Sequence, residues 1–345
     1  MALAKNLFYV PDNLNANHPI EISGRSRDDV KLMVLDRTSG KTSHQKFHDL
    51  GSFLKAGDVL VLNNSRTIPS VLKGKQGKRD IEIRLSRRVT DDSWEVLIVG
   101  GLYASDDQIE FTDGITARIE GEGSELPLVK IRFSTSGQKL YEMFYRYGEP
   151  IRYEYIDKPW PLEAYQTVYA SVPGSVEMPS AGRAFTWKLI HQLRRKGVSV
   201  VFLQLHAGLS YYGNDHWPVP SHHPESYVIP EETANIINDA KKSGNRVIAV
   251  GTTVVRTLET VADQQGFVES GEGITTLYIK EGTPLKCVDG LVTGMHEPEA
   301  SHLDLLSTLI EKEKLMSAYQ DAIQKEYLWH EFGDMNLIIT MEHEL

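Results

Sequence analysis

The sequence predicts an α/β layered domain that is interrupted by an all-β insertion at residues 73–155. Beyond about residue 160, helices alternate with buried strands, whereas short alternating runs separated by glycines occupy the stretch between about residues 72 and 133. The length of 345 residues suggests about two domains. A domain of such a size buries a core large enough to fold without a disulfide or a structural metal.

The N-terminal part and the insertion are predicted to be built from strands. Residues 31–36 and 58–63 combine β-branched residues and leucine with turn residues at both ends, which is typical of buried strands. Within the insertion, short strands recur at intervals of about 8–12 residues, which predicts a small antiparallel barrel or a sandwich. These strands are expected at residues 80–85, 94–99, 114–120 and 126–133.

The C-terminal part is predicted to alternate helix and strand. An amphipathic helix at residues 186–196 ends at Gly197 and leads into a buried strand at 198–205. The next helix begins after Pro230 with acidic residues and ends with lysines, as the helix dipole favours. The later elements are expected at 246–250 (strand), 253–262 (helix), 275–279 and 290–293 (strands), 302–328 (two helices) and 336–340 (strand).

The net charge and its distribution along the chain lead to different expectations about nucleic-acid binding. The net charge of −10 argues against a generic nucleic-acid binder, because phosphate binding needs local positive charge. However, residues 71–88 carry seven basic residues against two acidic ones, and residues 183–196 carry five basic residues and no acid. Each run is either a docking surface for one shaped polyanion or an ordinary solvated face.

Several classes of protein are disfavoured by composition. The single cysteine, Cys287, excludes an internal disulfide framework and a multi-cysteine metal site. His44 with His48, and the pair at 222–223, have no further ligand at a fixed spacing, so we expect no metal. Apolar runs are too short for a membrane span, and the first residues hold no secretory signal. We therefore expect a cytoplasmic enzyme that acts as a monomer.

The sharpest local feature is a strand–Gly-Thr-Thr–helix segment at residues 246–256. Gly251 ends the strand, Thr252 and Thr253 open the helix, and Arg256 lies one turn further on. Free backbone N–H groups at a helix start form a seat for a carboxylate or a phosphate. The alternative is that Thr252 only caps the helix.

Three residues are candidates for proton transfer. His206 follows the buried strand at 198–205, which is where α/β sheets hold ligands. Asp289 and His296 flank the strand at 290–293, and a desolvated carboxylate at a strand end can act as a general base. The structural alternatives are a hydrogen-bonded histidine at a domain seam and an aspartate that caps a turn.

Two polar loops add candidate ligand contacts. Asn64 and Arg66 follow the strand at 58–63 in a segment rich in hydrogen-bond donors. Gly182 ends a loop of small residues that leads to a helix at Thr186, and small residues let a ligand approach the backbone.

Several of these segments coincide with one family. The chain resembles the S-adenosylmethionine:tRNA ribosyltransferase-isomerases of the queuosine pathway from end to end. The matching blocks, in chain order, are His18-Pro19, Leu-Met-Val-Leu-Asp (32–36), Gly-Asp-Val-Leu-Val-Leu-Asn-Asn (57–64) with Arg66 and Ile68-Pro69, Tyr-Gln-Thr-Val-Tyr-Ala (165–170), Pro-Ser-Ala-Gly (179–182), Phe185-Thr186, Leu-His-Ala-Gly-Leu (205–209), residues 246–257, Val288-Asp289 and Phe-Gly-Asp (332–334).

The resemblance implies a three-layer α/β/α sandwich with an inserted small antiparallel β-barrel. The α/β catalytic domain would comprise residues 1–72 and 156–345, and the barrel residues 73–155. Such enzymes transfer the ribosyl part of S-adenosylmethionine to the aminomethyl group of a 7-deazaguanine in the tRNA anticodon wobble position. The ribosyl group is isomerised, and adenine and methionine leave. This chemistry uses S-adenosylmethionine as a co-substrate and needs no metal.

The resemblance also assigns roles to the candidate residues. Proton transfer would fall to His206 and Asp289, with His296 behind them. Tyr169 and Phe185 are available to stack on the wobble base. The residues expected at S-adenosylmethionine are Gly251, Thr252, Thr253, Arg256, Asn64, Arg66, Gly182 and Thr186.

Four motifs depart from the family pattern. The family's Gly-Leu-His-Phe-Thr is Gly-Arg-Ala-Phe-Thr at 182–186, and its Gly-Thr-Phe-Arg-Pro is replaced after residue 209 by Ser-Tyr-Tyr-Gly-Asn-Asp. Asn-Phe-His-x-Pro becomes Gly-Met-His-Glu-Pro at 294–298, and Ser-Tyr-Gly-Asp-Ala-Met becomes Glu-Phe-Gly-Asp-Met-Asn at 331–336. These changes leave two alternatives open: a divergent paralogue with another acceptor, and a non-catalytic protein that binds tRNA or S-adenosylmethionine.

Overall fold

The β structure of the described residues comprises a large nine-stranded mixed sheet, a separate closed barrel and a small two-stranded sheet. The computed structural model describes residues 8–100, 104, 107–213, 216–298 and 301–341. The strands are β1 Lys31–Asp36, β2 Thr42–Lys46, β3 Val59–Asn63, β4 Ser65–Thr67, β5 Val71–Gln76, β6 Arg79–Arg88, β7 Ser93–Val99, β8 Gln108–Glu110, β9 Thr116–Glu122, β10 Val129–Phe133, β11 Val172–Ser175, β12 Ser199–Leu205, β13 Glu225–Ile229, β14 Val247–Val250, β15 Gly271–Thr275, β16 Gly290–Gly294 and β17 Met335–Ile339. The α-helices are α1 Gly137–Tyr147, α2 Trp187–Arg195, α3 Glu231–Lys242, α4 Thr252–Val261, α5 His302–Leu306 and α6 Lys312–Gln324.

The large sheet is covered by helices on both faces. Its strand order is β15-β13-β12-β3-β14-β16-β17-β1-β2. In β3, Val59 and Val61 face a core shared with α3, α4, α5 and α6, whereas Leu60 and Leu62 face a core shared with α2. A strand buried on both faces needs a continuous apolar run, which is why this segment is easy to recognise in the sequence. The predicted three-layer α/β/α sandwich is confirmed.

The inserted strands close into a six-stranded antiparallel barrel in the order β10-β7-β6-β5-β8-β9. The barrel is filled by its own apolar core, which includes Ile83 and Trp94. Helix α1 packs Phe144 against Trp94, with ring centroids 5.5 Å apart and nearly perpendicular planes. Of the two predicted architectures, barrel and sandwich, the barrel is therefore correct.

Several elements differ from the prediction. The strand expected at 275–279 is wrong: the strand is β15, which pairs with β13 and ends at Thr275. There the Thr275 hydroxyl accepts a hydrogen bond from the backbone N–H of Leu277, so the chain turns away from the sheet. The elements that were not predicted are helix α1 and the strands β2, β4, β5, β8, β11 and β13.

Two predictions concern membranes and export. Within the described ranges, no helix has both the length and the apolar composition needed to span a bilayer. The predicted lack of a secretory signal falls on residues 1–7, which lie outside the described residues.

The strand directions bring several segments to one edge of the sheet. β14 and β16 are parallel neighbours, so the segments that follow Val250 and Gly294 leave the sheet at the same edge. β17 runs antiparallel to β16 and pairs Met335 with Gly294, so the residues just before β17 also lie at this edge. Ligands of α/β proteins bind at the carboxyl ends of parallel strands, so this edge is where a site is expected.

Candidate active site

A cavity of about 490 Å³ lies at this edge of the sheet. Its walls come from segments that are far apart in sequence. They include the start of α4, the segment after β16, the residues just before β17, and the segments around residues 153–155, 177–181 and 207–211.

One end of the cavity is the start of α4. Gly251 has φ of +94°, a conformation that favours glycine, and it turns the chain from β14 directly into the helix. The first-turn N–H groups of Thr252 and Thr253 have no acceptor within the helix. Together with the positive end of the helix dipole, they can accept an anion, and the anion seat at this position stays a prediction.

Arg256 adds a free donor at the same end. Its Nε donates to the Leu277 carbonyl at 2.9 Å, and its Nη1 pairs with Glu225. Its Nη2 is buried and has no hydrogen-bond partner in the described structure. A buried donor without a partner costs about 1–3 kcal/mol, and a ligand carboxylate would remove that cost.

His296 and His302 stack beside this end, with ring centroids 4.6 Å apart. The hydroxyl of Thr293 hydrogen-bonds His296 Nε2 at 2.6 Å. Burial lowers the pKa of His302 to about 4 and holds the pKa of His296 well below its usual range. Both rings are therefore neutral at pH 7 and act as hydrogen-bonding groups rather than as cations.

Two carboxyl groups line another part of the cavity. Tyr153 donates its hydroxyl to Glu177, and Tyr155 donates its hydroxyl to Glu331. The backbone N–H of Ser210 also donates to Glu177, at 2.7 Å. Burial raises the pKa of Glu177 to about 7, and the negative charge of Glu331 acts in the same direction. Burial also raises the pKa of Glu331, so two carboxyl groups with raised pKa values face one cavity.

Aromatic rings surround this pair of carboxyl groups. Tyr155 stacks on His330 with centroids 3.7 Å apart and planes 8° from parallel. Tyr211 and Trp217 also line the cavity, with ring centroids 5.0 Å apart. Burial lowers the pKa of His330 to about 4, so this ring is neutral as well. Flat neutral rings of this kind are suited to contact a heteroaromatic group.

Five of the residues predicted from the sequence line this cavity: Gly251, Thr252, Thr253, Arg256 and His296. The structure does not bring the remaining six there.

His206 lines a second, smaller cavity of about 270 Å³. Its Nδ1 hydrogen-bonds the Ser65 hydroxyl at 2.7 Å, and its Nε2 hydrogen-bonds the Gln204 side chain at 2.8 Å. Burial lowers the pKa of His206 to about 4. With both ring nitrogens occupied, this histidine holds β12 to its neighbours, as in the structural alternative.

Asp289 lies at the opposite edge of the sheet. Its Oδ2 accepts a hydrogen bond of 2.9 Å from the N–H of Val247, the first residue of β14. Its backbone carbonyl accepts another of 3.0 Å from Arg37. The cavity lies beyond the last residues of β14 and β16. The length of these strands therefore separates the Asp289 carboxylate from the cavity.

The four other predicted ligand contacts do not line the cavity. Thr186 caps α2 by accepting the Leu189 N–H at 3.1 Å. A side chain at Gly182 would overlap the Tyr169 hydroxyl. Asn64 joins two segments through its backbone, and Arg66 lies in β4, which pairs with β11.

The expected stacking residues are in the core. Phe185 is fully buried, and Tyr169 is 7% exposed. The rings that line the cavity are those of Tyr155, Tyr211 and Trp217.

Sequence reasoning missed both carboxyl groups. Glu331 occupies one of the positions at which the chain departs from the family pattern. This departure was the only feature of the sequence that pointed to Glu331. Glu177 stands in no recognised motif. Among the described residues, no group of three His, Cys, Asp or Glu side chains is arranged to hold a metal.

The two basic runs differ in the structure. In the run at 71–88, Lys73 pairs with Glu149 at 2.9 Å, Lys75 lies 3.8 Å from Asp80, and further pairs neutralise Arg84, Arg87 and Arg88. In the run at 183–196, Arg183 is buried and pairs with Glu21, whereas the later basic residues are exposed on α2 or just after its last residue.

Comparisons with known proteins agree with this architecture. A family model described as "Queuosine biosynthesis protein" matches residues 3–338. The S-adenosylmethionine:tRNA ribosyltransferase-isomerase of Caldanaerobacter subterraneus subsp. tengcongensis is 37% identical over 353 residues, covering 96% of this chain and 98% of the relative. The protein of the same name from a Thermoanaerobacter species is 37% identical over 341 residues, with the same coverage.

A solved structure extends the comparison to the fold. The crystal structure of S-adenosylmethionine tRNA ribosyltransferase from Thermotoga maritima is similar with a TM-score of 0.55 and 29% sequence identity. The similarity covers 96% of this chain and 99% of that one. The chain belongs to the queuosine biosynthesis protein family.

Proposed function

We propose that this protein transfers the ribosyl part of S-adenosylmethionine to the aminomethyl group of 7-aminomethyl-7-deazaguanine in the wobble position of tRNA. The ribosyl group is isomerised to give epoxyqueuosine in tRNA, and adenine and methionine leave. Family membership and the names of the relatives support this activity. The observation that carries it is a single cavity that joins an anion seat to two carboxyl groups of raised pKa.

The residues present fit S-adenosylmethionine. Its carboxylate would be held by the N–H groups of Thr252 and Thr253 and by the unpartnered Nη2 of Arg256. Met178 and Ala181 offer apolar contacts in the same cavity. When bound, the substrate's sulfonium charge acidifies the neighbouring 5′ protons and makes the ribosyl part the group that is donated.

The two carboxyl groups supply the proton transfers. Glu177, with a pKa of about 7, is ionised in part at neutral pH and takes a proton as general base. Glu331, whose pKa is also raised, would give a proton to the departing adenine when it is protonated. His296 stays neutral and orients substrate by hydrogen bonding. We leave His206 and Asp289 out of this set because neither lines the cavity.

The aromatic rings provide surfaces for bases. Tyr155 with His330, and Tyr211 with Trp217, would stack on the adenine and on the 7-deazaguanine. We propose that the protein acts as a monomer. We also propose a cytoplasmic location, since the proposed acceptor is tRNA.

Release of adenine tests the proposed activity. The protein is incubated with S-adenosylmethionine and tRNA that carries the 7-aminomethyl-7-deazaguanine, and free adenine is measured by chromatography. We expect adenine with this tRNA and none with tRNA that carries guanine at the same position. Absence of adenine under conditions in which a relative releases it would contradict the proposal, and binding without release would favour a non-catalytic role.

The variant Glu177→Gln tests the role of this carboxyl group, and Glu163→Gln is its control. The comparison distinguishes a loss of the chemical step from a loss of folding. Glu163 is exposed and does not line the cavity. General bases typically contribute about 10²–10⁴-fold in rate, so we expect a decrease of that size in Glu177→Gln only.

A further inference from the structure

We propose that the outward face of α2 binds the RNA chain of the tRNA beside the modified nucleotide, with Trp187 stacked on an unpaired base. This inference rests on the proposed function, because it takes tRNA as the partner. The face is formed by Trp187, Lys188, His191 and Arg195.

The geometry of α2 creates this face. Trp187, His191 and Arg195 follow one another at intervals of four residues, so they lie along one side of the helix. The opposite side, with Leu189, Ile190 and Leu193, is buried against the sheet. Trp187 is 47% exposed, and its ring lies 6.2 Å from that of His191. An exposed tryptophan next to an exposed imidazole places a large aromatic surface on the solvent side of the helix.

The charges on this face favour RNA. Residues 183–196 contain no acidic residue. Among the described residues, neither Lys188 nor Arg195 has an ion-pair partner, unlike most basic residues of the run at 71–88. Arg194 and Lys196 instead donate to backbone carbonyls, at 3.3 and 2.6 Å. Uncompensated cations beside an aromatic ring suit single-stranded RNA, in which phosphates and stacked bases alternate.

The face also lies next to the cavity. Helix α2 leads through Gly197 into β12, so it runs back across the sheet and begins at the edge where the parallel strands end. Ser180 and Ala181, a few residues before Trp187, line the cavity itself. A tRNA that inserts its wobble nucleotide into the cavity therefore has neighbouring nucleotides within reach of the first turn of α2.

The affinity for tRNA tests the stacking contact. Binding to the full-length protein is measured without S-adenosylmethionine, so the result does not depend on catalysis. Stacking of one base on an aromatic side chain predicts a weakening of about tenfold in Trp187→Ala and affinity close to wild type in Trp187→Phe. The control is Tyr9→Ala: Tyr9 is 72% exposed, and its neighbours Phe8 and Val10 pack on the other face of the sheet.

Salt dependence tests the interaction with phosphates. Removing one cation that binds a phosphate lowers the slope of log affinity against log salt by about 0.7–0.9. We expect a decrease of that size in Lys188→Ala and again in Arg195→Ala. Lys312→Ala, an exposed residue on α6 across the sheet, should leave the slope unchanged.

Two results would overturn the inference. One is unchanged tRNA affinity in Trp187→Ala together with unchanged salt slopes in the two cation variants. The other is a wild-type dimer that dissociates in Trp187→Ala while tRNA affinity stays constant, which would assign the face to a second copy of the chain. A protein that binds tRNA through this face but releases no adenine would refute the proposed function and leave this inference standing.

Discussion

Replacing Glu177 by glutamine should remove the proposed base and also change how stability depends on pH. In wild type the folded carboxyl has a pKa of about 7, against a reference value of 4.5. Between these pH values the folded state binds more protons than the unfolded state at this site, so stability falls as pH rises. A shift of that size corresponds to about 3 kcal/mol, fully present below pH 4.5 and lost as pH rises through 7.

The difference between variant and wild type isolates this one group. The free energy of unfolding is measured by urea denaturation at several pH values from 4.5 to 8. Glutamine does not titrate, so Glu177→Gln should gain about 3 kcal/mol relative to wild type between the two ends of that range. An inactive but more stable variant at pH 8 would follow the known trade-off between activity and stability.

Enzyme activity is a second measurement that depends on the ionisation of Glu177. A base must be ionised, so kcat/KM for adenine release should fall at acid pH with an apparent pKa near 7, the value for Glu177. A stability difference that is flat with pH, or wild-type activity in Glu177→Gln, would refute the role of this carboxyl group.

Three other substitutions test separate parts of the structure. Arg256→Lys, which removes the unpartnered Nη2, should weaken S-adenosylmethionine binding by about tenfold in calorimetry, and unchanged affinity would refute the anion seat. His206→Ala should lower the free energy of unfolding by about 1–3 kcal/mol because its hydrogen bonds are removed, yet keep kcat within about tenfold; a decrease of about 10³-fold or more would restore a catalytic role. Gly266→Ala should destabilise by more than about 1 kcal/mol, because φ is +82° and a Cβ would overlap the Lys286 carbonyl; unchanged urea unfolding would contradict this.

Strands buried on both faces were predictable, and polar edge elements were not. Residues 32–35 of β1 are all buried, and the matching apolar run gave the correct bounds of this strand. β2 is the edge strand next to it, with the sequence Thr-Ser-His-Gln-Lys, and it has neither an apolar run nor an apolar alternation. Its pairing with β1 is decided by tertiary structure rather than by local sequence.

The two ends of the cavity also differ in how far the sequence alone predicts them. The proposed anion seat is local, because strand, glycine, threonines and helix are consecutive, so the sequence pattern alone is sufficient to propose it. The carboxyl pair depends on chain segments around residues 153–155, 177 and 331, which meet only in the folded molecule. His206 and Asp289 both lie at a strand end, as predicted. The sequence pattern did not show that the ring of His206 is held by hydrogen bonds, or that Asp289 lies at the edge of the sheet opposite the cavity.

Transfer of isotopic label tests the proposed reaction most directly. S-adenosylmethionine labelled with ¹³C in the ribose is incubated with the protein and tRNA that carries 7-aminomethyl-7-deazaguanine, and the nucleosides of the digested tRNA are analysed by mass spectrometry. We expect the ribose carbons to appear in the modified nucleoside while methionine with its methyl group and adenine are released. Label in the tRNA from the methyl group, or no ribose label in the tRNA, would contradict the proposed ribosyl transfer.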